Sequence, residues 1–160
     1  MSEWRPPELG PRGEGWVVLQ SLLFLAIVAC GFSGVDWPSS VSSFLAVLGI
    51  VTAVLGAVLF ALGVLALGRS FTAFPRPKER SEFRQGGIYR SVRHPVYGGV
   101  LLFALGWSLA GSPLALVPTA LLAVLFDLKS RREEAWLVER YPAYEGYRRG
   151  TPSRLIPFVY

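Results

Sequence analysis

Charged residues are scarce in this sequence. Asp, Glu, Lys and Arg make up 17% of its 160 residues, whereas 52% are hydrophobic. A soluble globular domain usually has about a quarter charged residues, so this chain has more apolar surface than one domain of its length buries in water. The composition therefore excludes an ordinary soluble fold and predicts a protein that lies in lipid.

Cysteine is almost absent as well, because Cys30 is the only one. A lone cysteine excludes an intramolecular disulfide and does not indicate a redox compartment. Residues 27–30 end an apolar stretch and resemble a bacterial lipoprotein cleavage site, whose cysteine would become the lipidated N-terminus. The leader carries Glu3, Glu8 and Glu14 beside two arginines, which favours the alternative of an uncleaved first membrane helix.

Long runs without charge are abundant. They cover residues 15–35, 37–68 and 96–126, and each exceeds the roughly 20 residues that span a ~30 Å hydrocarbon core. The Gly-Ser-Pro sequence at 111–113 interrupts the third run and predicts a hairpin, whose second arm we expect to continue through residues 129–140. We therefore predict an all-α integral membrane protein with about four transmembrane segments, the last two forming a helical hairpin.

The few charged residues are unevenly placed. Of the 16 basic residues, seven lie in 69–93 and seven in 129–154, and the net charge is +5. By the positive-inside rule both clusters are cytosolic, which places both termini in the cytosol. The segment after the last span is expected to fold back as a cytosolic C-terminal cap. Membrane lipids are the partners that this distribution implies, and nucleic acid is not expected to bind.

Glycine recurs every seven residues along the second run, at Gly49, Gly56 and Gly63. At 3.6 residues per turn these positions share a helix face, which lets a neighbouring helix approach closely in lipid. Helix packing is the favoured interpretation of this pattern, and a groove for lipid or substrate is the alternative.

The only histidine lies where a charged segment meets the third run, in the sequence RHPVYGG at 93–99. Pro95 suits the first turn of a helix, and the glycines allow close approach to the backbone. The helix N-terminus so formed presents free N–H groups that attract carboxylates and phosphates. Two interpretations stay open: a binding site, or an interfacial anchor in which Arg90 meets lipid phosphate and Tyr89 lies in the aromatic belt.

A second charged segment, residues 127–137, continues the last apolar run. Lys129 and Glu133 are four residues apart and share a helix face, where pairing in an exposed helix contributes about 0.3–0.5 kcal/mol. By itself this pattern is a solvated helix end. A glutamate beside hydrocarbon is costly unless it is paired or binds a cation, and this favours a functional role for the segment.

The two segments together resemble the isoprenylcysteine carboxyl methyltransferase family and its bacterial relatives, including phospholipid N-methyltransferases. The family pattern is RHPxYxG, a helical hairpin, a basic residue and EExxL, and its counterparts here are residues 93–99, 100–126, Lys129 and 133–137. Tyr144 and Tyr147 also resemble the family's YxxY pattern, and Pro157 resembles its terminal proline.

This resemblance implies S-adenosylmethionine as the cofactor, bound without a Rossmann sheet, and no metal ion. It assigns cofactor binding to Tyr89, His94, Pro95, Val96, Tyr97, Gly99, Glu133 and Glu134. It assigns catalytic roles to Lys129 and Arg93. The family commonly has an arginine facing the methyl acceptor at the position of Lys129, and lysine lacks the bidentate fork for a carboxylate. The implied acceptor is a lipophilic molecule, either a carboxylate such as isoprenylcysteine or a lipid amine.

The resemblance also organises the chain as a single membrane domain, 1–160, with two N-terminal transmembrane helices in 1–68 and a catalytic core in 69–160. A bacterial relative of this kind would lie in the inner membrane. Two other functions stay open. One is an NADPH-dependent membrane reductase of sterol-type lipids, which shares a similar C-terminal hairpin, and the other is a non-catalytic scaffold that binds anionic lipid.

Overall fold

The computed structural model describes residues 6–76 and 83–160, and the regular structure of these residues is entirely helical. The helices are α1 (Glu14–Gly31), α2 (Ser39–Leu67), α3 (Pro95–Ala110), α4 (Leu116–Arg140) and α5 (Tyr144–Gly150). Short 3-10 turns lie at Gly68–Ser70, Gly87–Arg90 and Pro113–Ala115. The predicted all-α class is confirmed.

Several helices have the length and surface of membrane spans. In the described part of the chain, three stretches are long and apolar enough to cross a bilayer: Glu14–Gly31, Ser39–Ser70 and Pro113–Arg140. Large apolar side chains face outward from them, as Phe44 does at 70% exposure. Helix α3 has 16 residues, or about 24 Å at 1.5 Å per residue. The integral membrane class is confirmed, while the number of four crossings stays a prediction.

Helix α2 packs along α3 through the predicted glycine face. A Cβ atom added at Gly56 would lie 2.5 Å from the Phe103 amide nitrogen and 2.6 Å from the Gly99 carbonyl oxygen. One added at Gly49 would lie 2.6 Å from the Gly106 carbonyl oxygen. The two backbones therefore touch, and the packing interpretation of the seven-residue glycine repeat is confirmed.

Helices α3 and α4 form the predicted hairpin. The hydroxyl of Ser112 accepts a hydrogen bond from the Leu114 amide in the turn between them, and the hydroxyls of Ser108 and Thr119 lie 2.9 Å apart across the hairpin. Helix α4 then continues without a break to Arg140, which confirms that the second arm extends into the charged segment. Its inner side also packs against α1.

The C-terminal tail folds back onto the start of α3. The Arg93 amide donates to the Ser153 carbonyl at 3.0 Å. The His94 amide donates to the Arg154 carbonyl at 2.8 Å. The Arg154 side chain also donates to Asp127 of α4 at 2.8 Å. The predicted C-terminal cap is therefore present, and it joins the beginning of α3 to the middle of α4.

Candidate active site

The fold brings the two charged motifs together at one end of the hairpin. His94 is the N-cap of α3 and Pro95 its first residue, so the chain enters the helix with His94 still outside it. Glu133 and Glu134 lie on α4 past its apolar half. Because α3 and α4 are antiparallel arms, the start of one lies beside the end of the other.

Glu134 contacts two charged or polar side chains at the buried end of the site. Its Oε1 atom lies 2.8 Å from Nε of Arg93 and 3.1 Å from Nε2 of His94. The Arg93 Nη1 atom donates to the carbonyls of Thr151 and Pro152 at 2.6 and 2.8 Å. Both charged side chains of the Arg93–Glu134 pair are at most 5% exposed. Glu134 therefore orients the imidazole of His94, and Arg93 binds the C-terminal tail to the start of α3.

Glu133 differs from its neighbour in facing open space. Its side chain is 25% exposed, against 4% for Glu134. The Tyr97 hydroxyl donates to its Oε2 at 2.8 Å, and His94 Nδ1 is 3.7 Å from the same atom. The rings of His94 and Tyr97 are stacked with an interplanar angle of 8°. This arrangement gives the site one accessible carboxylate, oriented by a phenol beside an imidazole.

These side chains open into a cavity of about 780 Å³, counting the part continuous with solvent. The lining is mainly aromatic and aliphatic, with a few polar groups at one side. It consists of Leu67, Ser70, Phe71, Thr72, Phe74, Phe83, Arg84, Tyr89, Arg93, His94, Val96, Tyr97, Glu133, Leu137, Tyr141, Tyr144 and Tyr147. A concave, mainly apolar lining with a few polar groups is typical of a small-molecule site.

A cluster of aromatic rings forms one wall of this cavity. The ring of Phe83 is stacked with Tyr141 at 5.6 Å, and it contacts Tyr144 and Tyr147 at 5.4 and 5.3 Å between centroids. The Tyr147 hydroxyl donates to the Tyr89 carbonyl at 2.6 Å. Burial raises the pKa of Tyr147 to about 12, so this wall stays uncharged at neutral pH and presents ring faces to a bound cation.

Six predicted site residues line the cavity, namely Tyr89, Arg93, His94, Val96, Tyr97 and Glu133. In the described part of the chain, the cavity lining leaves out Pro95, Gly99, Glu134 and Lys129. Gly99 lies in the α2–α3 contact instead, where an added Cβ would be 2.5 Å from the Phe60 amide nitrogen. Glu134 supports His94 from within the fold, and Pro95 lies beside Gly63 of α2. Their assigned cofactor contacts stay predictions, and the structure gives these three residues packing or positioning roles.

Lys129 is completely buried. Its Nζ atom donates to Gln20 Oε1 at 2.5 Å and to the Ala73 carbonyl at 2.9 Å. It also lies 5.1 Å from the centre of the Tyr97 ring. The residue predicted to face the methyl acceptor thus lies behind Tyr97, among groups of α1 and of the segment that follows α2.

Several lining residues were missed by sequence reasoning. Phe71, Thr72 and Phe74 follow α2, and Phe83 precedes the histidine motif. Their only signal is the presence of aromatic residues among the basic residues of 69–93. That pattern equally describes an interfacial aromatic belt, so it did not identify them.

The comparisons with known proteins agree with the motif positions. The family model described as phospholipid methyltransferase matches residues 44–144. A probable protein-S-isoprenylcysteine O-methyltransferase of Oryza sativa subsp. indica is 31% identical over 121 residues, which cover 72% of this chain and 63% of the relative. The Schizosaccharomyces pombe protein-S-isoprenylcysteine O-methyltransferase is 33% identical over 110 residues, or 66% of this chain and 46% of the relative.

A third relative has a different activity. The delta(14)-sterol reductase of Mus musculus is 36% identical over 78 residues, which cover 46% of this chain and 19% of that protein. The chain therefore spans less than two thirds of the length of each of these relatives.

Proposed function

The chain belongs to the phospholipid methyltransferase family, and on that premise we propose that it is an integral membrane methyltransferase that uses S-adenosylmethionine to methylate a lipophilic acceptor. The observation that carries the proposal is the meeting of the two family motifs in one cavity. His94 and Tyr97 from the first motif and Glu133 from the second converge there.

The residues present suit this cofactor. S-adenosylmethionine supplies an electrophilic methyl group on a positively charged sulfonium. Glu133 offers a carboxylate to the ribose hydroxyls or the ammonium group of such a molecule, and the ring face of Tyr89 attracts a cation. Tyr89 and Glu133 both line the cavity. The apolar side of the lining, with Leu67 and Leu137, suits a lipophilic acceptor.

What methyl transfer requires of the cavity depends on the acceptor. With a carboxylate acceptor, opposite charges are neutralised in the transition state, and a site screened from water favours that change. No general base is then needed, and the protein contributes chiefly by alignment. With a lipid amine, a proton must leave the acceptor first. His94 lines the cavity and is oriented by Glu134, which makes it the candidate base.

The acceptor class follows from the relatives only as a proposal. Two of them are named protein-S-isoprenylcysteine O-methyltransferases, so a prenylated cysteine carboxylate is the first candidate. A phospholipid amine is the second candidate, from the description of the family.

The test is cofactor binding by the purified protein in detergent or nanodiscs. Isothermal titration with S-adenosylmethionine and with its demethylated product should show saturable binding of both, and titration with NADPH should show none. Binding of NADPH without binding of either adenosyl compound would contradict the proposal and favour a reductase.

That second candidate function has one observation in its favour. The segment similar to the mouse delta(14)-sterol reductase covers 46% of this chain, and such an enzyme reduces a lipid in the membrane. The NADPH arm of the same titration decides between the two functions.

A further inference from the structure

Residues 71–76, which we name the wall segment, connect α2 to the rest of the site. Three of its side chains, Phe71, Thr72 and Phe74, line the cavity. The segment has little regular structure of its own. Its hydrogen bonds include one from the Phe71 amide to the Gly68 carbonyl, just before the segment, and one within the segment from the Phe74 amide to Thr72 Oγ1, both 3.2 Å long. Its position must therefore be set largely by the groups that pack against it.

The leader, residues 6–13, holds the wall segment from outside. Arg76 Nη1 donates to the Pro11 carbonyl at 2.7 Å, and the Arg12 guanidinium lies 4.6 Å above the Phe74 ring. Gly13 has a φ angle of 78°, and an added Cβ would lie 2.5 Å from Cγ of the buried Pro75. Residues 11–13 of the leader thus contact residues 74–76 of the wall segment directly.

The leader is itself attached to the helices. The Trp16 indole of α1 donates to the Pro7 carbonyl at 3.2 Å, and Arg132 of α4 forms an ion pair with Glu8. The guanidinium of Arg132 stacks on Trp136 at 4.4 Å. These contacts give the leader a fixed support from which it can position the wall segment.

Lys129 holds the same segment from inside. Its ammonium joins the Ala73 carbonyl to Gln20 of α1, and Ala73 stands between two cavity-lining residues. Both of these acceptors are neutral. An ammonium group has three donors and no acceptor. The Lys129 ammonium therefore connects α4 to α1 and to the wall segment by hydrogen bonds.

We propose that Lys129 and Arg76 are positioning residues that act through the wall segment, and that the cavity lining formed by this segment contacts the cofactor. Lys129 fixes the Ala73 carbonyl from inside, and Arg76 ties the segment to the leader. On this account Lys129 serves the cofactor rather than clamping the acceptor. The proposal deepens the proposed methyltransferase function and rests on it.

The experiment compares Lys129→Met and Arg76→Ala with the wild-type protein. Methionine keeps the length of the buried side chain while removing its charge and donors, and Arg76 is exposed, so the second variant is expected to fold in any case. Arg149→Ala removes another exposed arginine and is the matched control. Arg76→Lys keeps the cation and a donor and tests for rescue.

Two readouts are required. Hydrogen exchange of a peptide covering residues 68–76 should accelerate in Lys129→Met and Arg76→Ala but not in Arg149→Ala. The dissociation constant for S-adenosylmethionine should rise about 3- to 10-fold in each, as for the loss of one hydrogen bond. In the double variant the dissociation constant should rise by less than the product of the two single-variant factors, because both substitutions act on one segment.

Distinct results would overturn the proposal. Unchanged exchange in both variants would show that neither residue holds the wall segment. Faster exchange with cofactor affinity equal to that of Arg149→Ala would show that the segment does not position the cofactor. If Lys129→Met does not fold, Arg76→Ala decides by the same two criteria. If wild-type protein binds no S-adenosylmethionine, the proposed function fails. The exchange measurement then still shows whether Lys129 and Arg76 hold the wall segment in place.

Discussion

At the scale of residues, the adjacent glutamates of α4 illustrate how a one-residue step changes the role of a side chain. Glu134 is enclosed by Arg93 and His94, whereas Glu133 reaches the cavity and accepts from Tyr97. Consecutive residues of a helix point about 100° apart. One carboxylate can therefore neutralise a buried arginine while the next stays available to a ligand.

Glu133→Gln should weaken S-adenosylmethionine binding by about 1.5–3 kcal/mol, the range for a hydrogen bond to a charged group. Glutamine keeps the size of the side chain, so the unfolding temperature should change little. Isothermal titration measures the affinity, and Glu145→Gln, on the exposed side of α5, is the control. Equal affinities in the two variants would remove Glu133 from the site.

Glu134→Gln should instead lower the stability of the folded protein. It leaves the Arg93 guanidinium buried without its counter-charge, and loss of one partner of a buried ion pair typically costs about 3–5 kcal/mol. Thermal unfolding in detergent should show a clear loss of stability that Glu133→Gln does not show. A stability equal to that of Glu133→Gln would mean that the pair does not hold the tail to α4.

At the scale of elements, the position of α3 depends on its contact with α2. There is no hydrophobic drive between helices in lipid, so close backbone packing has to supply the attraction. The glycines at 49, 56 and 63 supply it on α2, and Gly99 and Gly106 do so on α3. This contact holds α3 beside α2 and thereby sets where His94 and Tyr97 enter the cavity.

Gly56→Ala should destabilise the protein, because the new methyl group would overlap the backbone of α3. Overpacking of this kind typically costs about 1–3 kcal/mol. The matched control is Gly86→Ala, since a Cβ there has no neighbour within 4 Å in the described structure. Equal unfolding temperatures for the two variants would show that α2 and α3 are not packed at this distance.

At the scale of the whole molecule, the orientation in the membrane is a prediction from the positive-inside rule. The structure adds that the tail and the start of α3 lie together, so the second basic cluster and the cavity share one end of the helices. The rule places that end in the cytosol, which is the side from which the proposed cofactor would enter the cavity. Arg80, in the first cluster, lies outside the described residues.

Accessibility labelling in intact cells tests the orientation. In a background with Cys30 replaced by Ala, a single cysteine at Asp36 should react with a membrane-impermeant reagent, and one at Arg149 should react only after permeabilisation. Asp36 lies between α1 and α2, and Arg149 lies in α5. External labelling at Arg149 would reverse the predicted topology.

Sequence alone determined the class of this protein and the packing face of α2, for a physical reason in each case. A charge-free run of more than 20 residues has to lie in lipid, and a glycine every seventh residue gives a helix one small face. Both properties are local along the chain, so hydropathy and spacing were enough to predict the helices, the hairpin and the α2 packing face. Glu133 and His94 were singled out by the resemblance to a known family, and the structure places both in the cavity lining.

The tertiary structure decided which of those residues line the cavity. Lys129 and Glu133 share a helix face in the sequence, yet Lys129 turns to Gln20 and Ala73 while Glu133 turns to Tyr97. Gln20 and Lys129 are 109 residues apart, and Ala73, the other hydrogen-bond partner of Lys129, lies in the wall segment, which has no sequence pattern of its own. Contacts over such separations arise only when helices pack, because each partner is selected by geometry and not by its neighbours along the chain.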